Sequence, residues 1–129
     1  MSLDGIPLHV LVIHLAVVLA PLTCCVTLAW ATVPRWRPPL QAPLVVGAVG
    51  SFVAVWAAYY TGPDYWLQPQ FKHASRAAIR LFEEHKRDAR LLLWSASGLA
   101  LAIALALERP EGQTGAILRW VAASTALVT

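Results

Sequence analysis

Gly5-Ile-Pro-Leu-His9-Val-Leu-Val-Ile-His14-Leu15 opens a run, from Gly5 to Pro34, that contains no Lys, Arg, Asp or Glu. A helix needs roughly 20 such residues to cross a bilayer, and this run is longer. An ionisable side chain inside such a span is costly in hydrocarbon and marks a candidate functional site. Two histidines, His9 and His14, lie inside this one.

Composition points the same way. The chain has 129 residues, 58% hydrophobic and 13% charged, whereas soluble domains carry about 25% charged residues. The expectation is an all-α, polytopic membrane protein: one transmembrane domain over residues 1–129, folded as a four-helix up-down-up-down bundle. Its helices are predicted over about 6–30, 40–60, 74–107 and 116–129. Pro21 should kink the first. Arg35, Arg37 and three prolines mark a link after it, and Thr61-Gly-Pro-Asp64 reads as the turn that ends the second. The last piece is only about 21 Å long against about 30 Å of hydrocarbon. It therefore crosses partway or the natural chain continues beyond Thr129, and continuation is the expectation.

The third helix is predicted to be amphipathic at its start. Ala78, Leu81, Phe82, His85, Ala89 and Leu92 share one face, with Arg76, Arg80, Glu83, Glu84, Arg87 and Arg90 opposite. That stripe runs without a breaker into Leu91–Leu107, so an interfacial extension precedes the third span. Aromatic residues form two belts: Tyr59, Tyr60, Tyr65, Trp66 and Trp94 at one end, Trp30, Trp36 and Trp120 at the other. Basic residues occur at both ends, which leaves the direction of insertion open.

Several function classes are excluded by what is missing. No basic stripe with interleaved aromatics suggests nucleic acid. The chain has no HExxH, no GxSxG, no Gly-rich phosphate loop and no paired carboxylates in a span, so no catalytic activity of its own is expected. The adjacent Cys24 and Cys25 read as apolar packing residues. In the second span Gly47, Gly50, Ser51, Ala54, Ala57 and Ala58 fall at helical spacing. A small-residue face of this kind lets membrane helices approach closely, and other membrane subunits are its expected partners.

The histidines carry the remaining chemistry. His9 shares a face with Ala16, Ala20, Thr23 and Thr27 and should point inward. His14 lies about 140° round the helix and cannot aim at the same ligand. His85 sits on the apolar face of the third helix, and His73 on the charged side. Spans one and three run parallel in this topology, so His9 and His85 approach from one membrane side, as bis-histidine ligands of haem b would. If Ile6 and Leu91 mark one depth, His9 lies about 4 Å inside it and His85 about 9 Å outside. Structural histidines, haem or other metal ligation, and proton or quinone chemistry all remain open. The candidate cofactor ligands are His9, His85 and His14, with His9 and His85 as the metal pair.

Gly5-Ile-Pro-Leu-His9 followed by Val12-Ile13-His14 resembles the opening of a bacterial family of predicted four-helix membrane proteins of uncharacterised function. Its members typically begin with Gly-x-Pro-x-His-Pro and Val-His-Phe-Pro motifs. Glu83-Glu84-His85-Lys86 before Leu91-Leu-Leu-Trp94 resembles the start of that family's third helix, and Thr61-Gly62 the end of its second. Val10 and Leu15-Ala16 depart from the family's Pro and Phe-Pro. Some relatives are fused to Rieske iron–sulfur domains, so the resemblance implies a bacterial cytoplasmic membrane and proximity to respiratory electron transfer. Two readings follow: a redox-associated module carrying haem b, or a non-catalytic accessory subunit of a larger membrane complex. A small transporter is the weaker third, because the spans lack acidic residues.

Overall fold

The computed structural model describes residues 2–3, 6–67, 69–108 and 112–128. Four helices make the fold: α1 (Leu8–Thr32), α2 (Arg37–Trp66), α3 (Arg76–Glu108) and α4 (Gly112–Val128). A two-residue ladder, Ser2–Leu3 against Ile6–Pro7, precedes α1. α1, α2 and α3 are each long and apolar enough to cross a membrane. Only 28%, 28% and 33% of their apolar windows are buried inside the bundle, and Val17, Val18, Leu22, Val46, Val53 and Leu101 point outward. Hydrophobic side chains in such numbers on an outer surface suit lipid better than water.

Cross-helix contacts set the topology. Gly47 meets Thr23, Gly50 meets Leu19 and Gly62 meets His9, so α1 and α2 are antiparallel. Trp56 donates to Ser97, and Trp66 stacks on Phe82, which makes α2 and α3 antiparallel too. α4 packs against α3 and α1. A core of alanines with Cys24, Trp30, Leu44, Leu99 and Ile103 fills the half of the bundle that α4 reaches. A smaller cluster, Ala16, Ala54, Val55, Leu93 and Ala96, belongs to α1, α2 and α3 alone. α4 is about 25 Å long and ends one turn past its contact between Thr125 and Gly98. Toward the start of α1 the bundle therefore has three helices, and a cleft opens there.

Several boundaries differ from expectation. The first link is shorter than predicted, because Pro38 and Pro39 fall in the first turn of α2, where a missing N–H costs nothing. α2 also continues through Thr61-Gly-Pro-Asp64 to Trp66 instead of ending at Tyr60. Pro63 removes only its own backbone donor, and Trp66 is held between Phe71 and Phe82, with ring centroids at 4.8 and 4.1 Å. That sandwich anchors the extra turn. Leu81, expected on the packed face of α3, is exposed, while Ala78, Phe82, Ala89 and Leu92 are the partly buried members of that stripe.

The small-residue face of α2 makes a close contact inside the chain. It packs on α1 within the chain: Ser51 and Ala54 are buried, and Thr23 and Ser51 hydrogen-bond at 2.9 Å.

Trp30 is 2% exposed, and among the described residues its indole N–H has no hydrogen-bond partner. An unpaired buried donor costs roughly 1–3 kcal/mol. Trp30→Phe removes that donor as well as some packing, so it should leave the unfolding temperature in detergent nearly unchanged. Trp30→Ala removes the same donor but far more packing, and should cost about 3–5 kcal/mol.

Candidate functional site

The cleft is walled by α1, α2 and α3 and has two lobes. The outer lobe, about 560 Å³, is lined by Tyr60, Gly62, Pro63, Trp66, Phe82 and Lys86 among others. The inner lobe, about 430 Å³, runs down α1 past Ala16 and Val17 to Ala20 and Pro21. His9, Ile13, Ala58, Tyr59, His85 and Ala89 line both. Ligand pockets commonly span roughly 300–1,000 Å³ and are mostly apolar with a few fixed polar groups, and this cleft has that character.

His9 is the most constrained of those polar groups. It sits in the first turn of α1, and its Nδ1 lies 2.9 Å from Thr61 Oγ1 on α2. Thr61 Oγ1 in turn donates to the Ala57 carbonyl at 2.8 Å. A hydroxyl has one proton to give. If Thr61 gives its proton to Ala57 it accepts from His9, and Nδ1 is then the protonated nitrogen. In the neutral ring the lone pair is then on Nε2. A methyl group on Gly62 would stand 3.3 Å from His9 Cε1, so any larger residue would push the imidazole a few tenths of an ångström away from α2. The Gly-Pro pair that looks like a helix-ending turn is in part a seat for this ring.

His85 reaches the same cleft from α3. Its side chain is exposed at the mouth, next to Lys86, whose ammonium lies 3.4 Å from Glu83 and 5.6 Å from the Phe82 ring centroid. Both histidines line the same two lobes of the cleft. Asp88 lines the inner lobe beside them.

The other histidines lie elsewhere. His14 is exposed on the outer side of α1, where its Nδ1–H donates to the Val10 carbonyl at 2.7 Å. His73 is exposed in the turn before α3. Cys24 is buried and Cys25 exposed, both as free thiols. Among the described residues no group of three or more His, Cys, Asp or Glu side chains gathers as a metal cage, and the two histidines that line the cleft are His9 and His85.

Motif reading takes Thr61 and Gly62 as the end of a helix and misses their contact with His9. A register signal could have found them. His9 and Thr61 lie equally far from Arg35 along the chain, as do Thr23 and Gly47, which is what an antiparallel pair around a short link requires.

The geometry defines a class, a four-helix bundle with three helices able to cross a membrane and a histidine-bearing cleft at one end. No family profile, curated protein or solved structure matches the chain. The resemblance to a bacterial membrane family thus rests on the quoted motifs.

Proposed function

We propose that the chain is a redox-associated module of a bacterial cytoplasmic membrane, and that His9 and His85 would hold haem b in its cleft. The observation that carries this reading is the chain from the Ala57 carbonyl through Thr61 to His9. A metal-bound histidine needs its lone-pair nitrogen free of a proton and its other N–H tied to an acceptor, and a Thr61 that donates to Ala57 would hold His9 in that tautomer.

The residues present suit the group. His9 and His85 offer nitrogen donors from two different helices, the usual way a bundle builds a cofactor site. Ile13, Ala58, Tyr59 and Phe82 supply apolar walls, and Lys86 at the mouth offers a cation for a propionate. Bound haem b would supply one-electron transfer between ferric and ferrous iron. The chain's own part is to fix the His9 ring, exclude water with aromatic walls and keep the site within the membrane's apolar region.

An absorption spectrum, reduced minus oxidised, tests the reading on protein purified from cells with ample haem. Soret and α bands are expected, and their absence overturns the haem assignment.

A second reading, a non-catalytic accessory subunit, is favoured by a groove of about 400 Å³ between α2 and α3. It is lined by Val45, Val49, Phe52, Ala100 and Leu101, and an apolar groove of this kind suits a neighbouring helix. Extraction in mild detergent tests it, and a lone monomer would count against it.

A further inference from the structure

Most hydroxyl groups with a hydrogen bond in these helices donate to a backbone carbonyl one turn back, and one buried pair does otherwise. Thr27, Thr32, Thr61, Ser97 and Thr125 each donate to the carbonyl four residues back. The proton is spent locally, and the oxygen can still accept from a neighbouring helix, as Ser97 does from Trp56 and Thr61 from His9. Thr23 and Ser51 do otherwise. Their oxygens lie 2.9 Å apart across the α1–α2 contact, and neither makes another hydrogen bond among the described residues.

Two hydroxyls bring two protons, and one bond between them uses one. The second proton is left in a setting where Thr23 is 2% and Ser51 5% exposed, with no bulk water to take it. Leaving a buried donor unpaired is unfavourable. Both residues also line a small cavity of about 10 Å³, closed off by Ala20, Ala48, Ala96, Leu99 and Ala100. That is about the least space that holds one water molecule, which needs two to four polar partners.

We propose that this cavity is a binding site for a single water molecule. One hydroxyl donates to the other, the second donates to the water, and the water donates back to the first. Every proton of the hydroxyl pair is then used. The occupant is neutral, because no charged side chain lines the cavity and a cation there would be uncompensated in the bundle interior. The site lies just beyond the floor of the histidine cleft, since Ala20 lines both. It does not depend on what the cleft binds.

The test is a structure of the full-length chain in a lipidic phase, at a resolution where single waters are placed. One isolated peak is expected within hydrogen-bonding distance of both Thr23 Oγ1 and Ser51 Oγ. It should be lost in Ser51→Ala and retained in Thr23→Ser, which keeps the hydroxyl. No peak in the wild type, or a peak that persists in Ser51→Ala, overturns the proposal. If Ser51→Ala does not fold, Thr23→Val replaces it with the same expected loss.

Discussion

Gly47→Ala should lower the stability of the bundle by about 2–4 kcal/mol, read as a large fall in unfolding temperature in detergent. The new methyl carbon would stand 2.7 Å from Thr23 Oγ1, closer than two such atoms tolerate. Thr23 can escape only by rotating away, which breaks its bond to Ser51 and leaves both hydroxyls buried. Overpacking and a lost buried hydrogen bond therefore act together. Gly98→Ala is the control: its methyl meets Thr125 Cγ2 at 3.9 Å, an ordinary contact, and should be tolerated. Removing the obstacle with Thr23→Ala should make Gly47→Ala much less harmful, a coupling that a double-mutant cycle reads directly. Equal losses from Gly47→Ala and Gly98→Ala would contradict the packing described here.

The second large effect concerns ligand affinity and leaves the fold intact. Thr61→Val keeps the side chain's shape and removes the oxygen that accepts from His9 Nδ1–H. Haem titrated into this variant should bind about 10–100-fold more weakly than into the wild type, the usual scale for losing a group that orients a metal ligand. Thr61→Ser should restore most of the affinity. Unchanged affinity in Thr61→Val would mean that the tautomer of His9 is not set by this hydroxyl.

These two substitutions also separate what the sequence discloses from what it hides. The inward face of α1 is legible, because Ala16, Ala20, Thr23 and Thr27 recur at helical spacing and all four are buried. The outward turn of His14 follows from the same periodicity. The end of α2 is not legible. Gly62-Pro63 satisfies every local rule for a turn, and only tertiary contacts reverse that reading, namely the Trp66 sandwich and the close approach of His9. Setting Ile6 level with Leu91 treats two apolar borders as membrane edges, whereas side-chain packing between helices fixes their register. The small-residue face of α2 announces a close contact correctly, but composition does not say whether the partner is internal or foreign.

The central claim is that His9 and His85, and not His14, form one cofactor site. Reduced-minus-oxidised spectra of His9→Ala, His85→Ala and His14→Ala, prepared beside the wild type with ample haem, test it most directly. The account predicts that the α band is lost or strongly altered in the first two variants and unchanged in His14→Ala. Full wild-type bands in His9→Ala or His85→Ala, or their loss in His14→Ala alone, would contradict it.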